Sequence, residues 1–201
     1  MYRAVIFDFE GTLVNFAWDK ENAVREVREL LMSNGVSANG SYAELYNFVA
    51  ANHPDLKSDV DMIYDRYDLM ASRVWKLKNE VPQVLSSISA VKAVVSNVGG
   101  DLLRKLLNDY GIMNYFYTVT GRRDVRMLKP SDEGLRCTLE KMNVCSDETL
   151  FVGDSVSDVL ACRKTGMDVA VVEGESSFEE LDADYKLSSL SDILSLPIQG
   201  L

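Results

Sequence analysis

The 201 residues are 47% hydrophobic and carry a formal net charge of −10, which suits one domain of ordinary size plus an insertion, with a core that needs no covalent staples. That charge argues against contacts with nucleic-acid backbone or an anionic membrane surface, but not against a small anionic substrate, because a metal and a few N–H groups can reverse the local field. Cys137, Cys145 and Cys162 are odd in number and lack CxxC spacing, and no basic-then-apolar leader or membrane-length apolar run occurs; neither a disulfide framework nor a zinc site is expected, and a reducing cytoplasm is the expected compartment.

Residues 3–8, with the apolar run Ala4-Val5-Ile6, read as a buried strand. It breaks into the glycine-containing turn Phe7-Asp8-Phe9-Glu10-Gly11-Thr12-Leu13. Two acidic side chains two residues apart at a strand end repel unless something positive sits between them, and a hard divalent cation suits carboxylate and carbonyl oxygens. Taken alone, ordinary turn chemistry accounts for the stretch.

Residues 15–80 are rich in helix signals. Asp19 can cap a helix with Ala23, Val24, Val27, Leu30 and Leu31 at a 3.6-residue period, stopped by Gly35. Ser41-Tyr42-Ala43-Glu44 is a capping box ahead of Leu45, Phe48 and Val49. Ser58 can cap a third helix with Ile63, Tyr67, Met70, Val74 and Leu77 on one face. Three helices without an intervening strand predict an inserted helical subdomain.

From Val81 the pattern turns to strand–helix alternation. Strands are predicted at 91–96, 115–119, 149–152 and 168–172, with a short edge strand at 184–187; helices are predicted over 82–88, through Leu102–Tyr110, over 131–142 and up to Gly166. Such alternation implies right-handed crossovers and a doubly wound parallel sheet covered on both faces. The expected organisation is an α/β core of residues 1–14 and 81–201 interrupted by a helical insert, 15–80.

Four strand or loop ends carry polar residues with a shared logic. The first offers Asp8 and Glu10. The second is Ser96-Asn97 before Gly99-Gly100 at a helix start, where N–H groups can face an anion. The third is Lys129-Pro130, with Lys a point charge for phosphate. The fourth is Gly153-Asp154-Ser155-Val156-Ser157-Asp158, two further carboxylates at a strand-to-helix junction. Each has a plain structural explanation alone; their shared placement at the ends of predicted parallel strands does not.

With these four stretches the chain resembles the haloacid dehalogenase (HAD) superfamily, in its phosphatase branch with a helical cap inserted after the first motif. Tyr115-Phe116, Thr149 to Asp158 and Arg163-Lys164-Thr165-Gly166-Met167 are similar to phosphoglycolate phosphatase-like members. The resemblance implies a Rossmann-like core and a Mg²⁺-dependent phosphatase of small phosphomonoesters. Asp8 would be the nucleophile, forming an aspartyl phosphate; Glu10 the acid–base; Lys129 a catalytic and phosphate-binding cation; and Ser96 and the N–H of Asn97 phosphate binders. Mg²⁺ would be held by Asp8, the backbone carbonyl of Glu10 and Asp154, with Asp158 ligating it or orienting a bound water. The implied partner is a small phosphorylated metabolite, with no nucleic acid or membrane, and the chain would be a monomer or homodimer.

One residue departs from that pattern. The branch normally carries Asp where this chain has Glu10, which keeps the chemistry and adds a methylene. A misplacement of about 1 Å can lower a proton-transfer rate about a hundredfold, so the alternative is a catalytically weak, HAD-like phosphate-binding or interaction protein. A 2-haloacid dehalogenase fits less well, since that branch places no acid here and needs no metal. Arg122, Arg123 and Arg126 read as a solvated basic loop rather than a steering patch. Arg66, Arg73 and Lys76 read as surface charges, and Trp18, Tyr64, Tyr67 and Trp75 as core of the insert, with room for one of them to line the cleft.

Overall fold

The structure, a computed structural model, describes residues 1–173 and 181–199; residues 174–180 and 200–201 of the expected core lie outside them. Strands β1 (Ala4–Phe7), β2 (Val91–Gly99), β3 (Thr118–Arg122), β4 (Thr149–Gly153), β5 (Asp168–Val172) and β6 (Tyr185–Leu187) form one parallel sheet in the order β3-β2-β1-β4-β5-β6. The helices are α1 (Lys20–Ser33), α2 (Tyr42–Asn52), α3 (Lys57–Ala71), α4 (Val81–Ser87), α5 (Gly100–Asp109), α6 (Glu133–Met142) and α7 (Val156–Thr165). The doubly wound α/β architecture is the one the alternation implies.

Successive residues of the strands feed opposite faces of the sheet. Val5, Phe7, Val94 and Val152 pack in one cluster with Leu103 and Leu107 of α5 and Val84 and Leu85 of α4. Ala4, Ile6, Ala93, Val95 and Phe151 pack in the other with Leu135 of α6 and Val159 and Cys162 of α7. Both faces are apolar, which is why the strands read as continuous hydrophobic runs rather than alternating ones.

The order of the strands positions the site. From β1 the chain adds β2 and β3 on one side, then crosses over to add β4, β5 and β6 on the other. The reversal lies between β1 and β4, and in open α/β sheets a ligand crevice forms at the carboxyl ends of the strands at such a point. Phe7 is level with both Val94 of β2 and Val152 of β4, so Asp8 emerges between the ends of its two neighbours.

Between β1 and α4 run α1, α2 and α3, with no named strand among them. Asp19 caps α1 by accepting from Asn22 N–H, and Ser41 and Glu44 form the capping box of α2. The segments leading into and out of these helices pair with each other: Val14 bridges Leu77 in antiparallel fashion, Lys78 N–H donates to Leu13 O (3.0 Å) and Asn15 N–H to Lys76 O (3.2 Å).

Three expectations are corrected. The third strand runs from Thr118 to Arg122 rather than over 115–119, because Met113–Tyr115 turn into a 3₁₀ segment and Tyr117 is exposed. That shift draws Gly121 and Arg122 into the sheet. Helix α3 starts at Lys57 without a side-chain cap and ends at Ala71, and it buries Val60, Asp61, Tyr64, Tyr67, Asp68 and Ala71 while Met70 and Val74 stay exposed. The reason for both the face and the fate of the basic loop is Arg122, which is 1% exposed rather than solvated.

The Arg122 guanidinium donates to Asn97 O (3.1 Å), Asp65 Oδ1 (2.6 Å) and Asp68 Oδ2 (2.8 Å), stands 3.4 Å from Asp61 Oδ1, and lies over the Tyr64 ring. A buried guanidinium needs counter-charges, and Asp61, Asp65 and Asp68 repeat at one-turn intervals along α3. The inward face of that helix is therefore set by charge pairing across the sheet edge. Arg123 remains half-exposed and reaches the same Asp65.

Candidate active site

Asp8, Asp154 and Asp158 are all buried at the carboxyl edge of the sheet, and one carboxylate oxygen from each lies within 4.8 Å of the others. Lys129, from the loop between β3 and α6, places its Nζ 2.8 Å from Asp8 Oδ1, 2.6 Å from Asp158 Oδ1 and 3.1 Å from Val95 O. Burial works against the ammonium, but Asp158 and Asp8 outweigh it and hold its pKa well above the ordinary lysine value. Burial pushes the Asp8 carboxyl up, to about 6, against the pull of Lys129.

Three buried carboxylates outnumber the Lys129 ammonium and the part-buried Lys78 that acts on Asp154, and a divalent cation would offset the remaining negative charge. The local backbone is built for close approach. Gly11 has φ +82°, and a Cβ there would stand 2.0 Å from Asp154 Oδ2; a Cβ on Gly153 would stand 2.6 Å from Asp158 Oδ2. These glycines let the two acidic turns close on each other. Asp158 is committed on both oxygens: its Oδ2 accepts from the N–H groups of Asp154 and Ser155 and from Ser155 Oγ while its Oδ1 holds Lys129.

Ser96 and Asn97 are buried beside this centre at the end of β2. The Asn97 side chain is occupied in building the site: its Oδ1 accepts from Lys129 N–H (3.0 Å), and its Nδ2 donates to Lys129 O (3.1 Å) and Tyr42 Oη (2.9 Å). The two-way grip on the Lys129 backbone fixes where that side chain starts. Asn47 of α2 holds the preceding residue in the same way, donating to Leu128 O and accepting from Leu128 N–H.

Glu10 sits on the turn after β1, with Oε1 accepting from Ala17 N–H (2.9 Å), Trp18 N–H (2.9 Å) and Trp75 Nε1–H (2.7 Å). Burial pushes its carboxyl up to about 7 even though these three donors pull it down. A carboxyl poised there can both give and take a proton near neutral pH. Its ionisation has a stability consequence in the metal-free protein. The folded pKa of about 7 exceeds the ordinary 4.5, so Glu10's contribution to stability is full below pH 4.5 and is lost as pH rises through 7. Metal-free Glu10→Gln should therefore match the wild type in melting at pH 4.5 and exceed it at pH 8, by up to about 3 kcal/mol; parallel melting curves from pH 4.5 to 8 check this.

The structure brings together every site residue expected from the sequence: Asp8, Glu10, Ser96, Asn97, Lys129 and Asp154 line one cavity of about 750 Å³, and Asp158 is fully buried against Lys129. The opposite wall comes from the helical insert, including Trp18, Lys20, Val24 and Tyr42. Sequence reasoning misses Tyr42, Lys78 and Asp68 and leaves Trp75 in the core of the insert. Lys78 donates to Gly11 O, and burial lowers its pKa while Asp154 raises it. Asp68 accepts from Gly99 N–H (2.9 Å) and Trp18 Nε1–H (2.8 Å), tying the insert to the β2 end. The spacing of Asp61, Asp65 and Asp68 is the available signal for that tie.

A parallel sheet with two acidic turns and a buried lysine at its switch point forms the ligand crevice of an open α/β scaffold. The family model for the haloacid dehalogenase-like hydrolases matches residues 5–172, and the chain belongs to that family. It is 28% identical to a phosphoglycolate phosphatase of Pectobacterium atrosepticum over 96% of this chain and 92% of that one. It is 30% identical to the pyrophosphatase PpaX of Halalkalibacterium halodurans over 52% of this chain and 50% of the relative. Among solved structures, CbbY from Rhodobacter sphaeroides in complex with phosphate superposes with a TM-score of 0.66 at 20% identity, covering 98% of this chain and 100% of that one. A HAD-superfamily hydrolase of Geobacter sulfurreducens gives 0.65 at 18% identity, covering 97% and 99%. Among the described residues no helix is long and apolar enough to cross a membrane.

Proposed function

We propose that this hydrolase is a Mg²⁺-dependent phosphatase of small phosphorylated metabolites, working through an aspartyl phosphate on Asp8. The observation that carries the reading is the Lys129 Nζ held between Asp8 and Asp158 beside Asp154, at the switch point of the sheet. Residues 15–80 would act as the cap that closes the cleft, and the phosphatases and pyrophosphatases among the relatives favour turnover over the weak-binding alternative.

Asp8 would use its carboxylate oxygen to attack phosphorus, replacing one difficult displacement by two easier ones. The Ser96 hydroxyl and the Asn97 N–H would hold phosphoryl oxygens, while Lys129 takes up charge on the transferring group. Glu10 would give its proton to the leaving oxygen, then remove one from the water that hydrolyses the phosphoaspartyl bond and restores Asp8. Mg²⁺ would be held by Asp8, the carbonyl of Glu10 and Asp154, with Asp158 ligating or orienting. Bound there, it supplies positive charge between carboxylate and phosphate dianion.

The test is phosphate release from a panel of small phosphomonoesters and pyrophosphate by the wild type and Glu10→Asp, with and without chelator. Activity should fall to background in EDTA and return with excess Mg²⁺. Wild-type turnover at or above that of Glu10→Asp establishes Glu10 as a competent acid–base. A wild type at background, with Glu10→Asp active, would instead identify a phosphate-binding protein on an intact scaffold.

A further inference from the structure

The returning linker carries a residue that the reaction scheme leaves unused. A glutamate has one more rotatable bond than an aspartate, and holding one of its oxygens in place costs side-chain freedom unless an anchor supplies the restraint. We infer that Trp75 is the positioning residue for Glu10: its indole N–H holds the longer carboxyl in the orientation that proton transfer uses. The inference rests on the phosphatase reading above.

The contact is short, Nε1 to Oε1 at 2.7 Å, as expected for an N–H donor to a carboxylate. All three donors to Glu10 converge on Oε1, and among the described residues no hydrogen bond goes to Oε2, leaving that oxygen for the proton. Trp75 is itself immobilised. It is 4% exposed, its ring stands edge-on to Phe9 at 5.5 Å, and its carbonyl accepts from Tyr110 Oη (3.0 Å). The adjoining residues Lys76 and Lys78 are stitched to Asn15 and Leu13 of the outgoing linker. The clamp on Glu10 thus takes Ala17 and Trp18 from the outgoing linker and Trp75 from the returning one. An aspartate at position 10, shorter by one methylene, would not span to the indole with the backbone as it stands.

A double-mutant cycle tests this, because it separates a pairwise contact from general packing. Trp75→Phe keeps a ring against Phe9 and removes the donor. In the wild-type background it should lower kcat about tenfold, the order expected for losing a hydrogen bond to a charged group, with KM and inorganic-phosphate affinity little changed. In the Glu10→Asp background the same change should have a much smaller effect. An equal fold-loss in both backgrounds, or no loss in the wild type, overturns the inference.

A second readout does not depend on turnover. The chain has two tryptophans, so ¹H–¹⁵N spectra of the full chain show two indole N–H signals, assigned by Trp75→Phe. Glu10→Asp should move the Trp75 signal more than that of Trp18, whose indole N–H goes to Asp68. A Trp75 signal indifferent to position 10 refutes the contact. A responsive signal in a protein that hydrolyses no ester leaves the contact standing and refutes the phosphatase reading.

Discussion

Asp8→Asn should abolish phosphate release, by at least about 10⁴-fold, the scale on which removal of a covalent nucleophile acts. An amide of the same size keeps the packing but has no carboxylate oxygen to form the phosphoaspartyl bond. The loss should occur without unfolding. Burial raises the Asp8 carboxyl to about 6 in the folded protein from an ordinary 3.8, so ionised Asp8 opposes folding increasingly as pH rises through 6. In metal-free buffer at pH 7.5 the variant should melt no lower than the wild type, since Lys129 keeps Asp158 and Val95 O as partners. An inactive variant with equal or higher melting temperature is the signature of a residue kept for chemistry at a cost in stability. Residual activity above about one per cent of wild type would remove Asp8 from the nucleophile's role, with trapping of a beryllium fluoride adduct on the wild type as the complementary check.

Arg122→Ala should be strongly destabilising, by about 3–5 kcal/mol, because it strips the counter-charge from buried carboxylates. For a chain of this length that corresponds to a fall in melting temperature of about 10 °C. Asp68 is the group most affected: its side chain is 3% exposed, and burial pushes its carboxyl up while Arg122, Gly99 N–H and Trp18 Nε1–H pull it down. Removing both charges in Arg122→Ala with Asp68→Asn should recover part of the loss, which a double-mutant cycle in urea or heat would read. A loss under about 1 kcal/mol would show the cluster to be solvated and energetically weak. Because Arg122 also donates to Asn97 O and shares Asp68 with Trp18, the single variant should loosen the phosphate-side backbone and the Glu10 clamp together.

The two residues contrast in how much of their setting is legible in the sequence. Asp8 follows a run of apolar residues and precedes Gly11 within the same short stretch, so its place at a strand end is a local matter. Arg122 reads as part of a solvated loop because a basic cluster near the end of a weakly marked strand looks like a surface feature. Its burial depends on Asp61, Asp65 and Asp68, the last of them 54 residues earlier. The hydrophobic face expected for α3 fails for the same reason: Met70 and Val74 match the period, but the carboxylates are pulled inward.

Apolar periodicity, capping and strand-end turns are written over spans of a few residues, and they were enough to specify the α/β alternation, the helical insert, the caps of its first two helices and the positions of the seven candidate site residues. What surrounds those residues is a matter of tertiary structure. The pairing of two linkers far apart in the chain delivers Trp75 to Glu10, across a separation of 65 residues, and the crossover of the chain about β1 sets Asp154 and Lys129 against Asp8. Such contacts depend on which distant groups share a desolvated space, where an uncompensated charge or donor is costly. Local pattern names the groups that must find partners but does not say which partners they find.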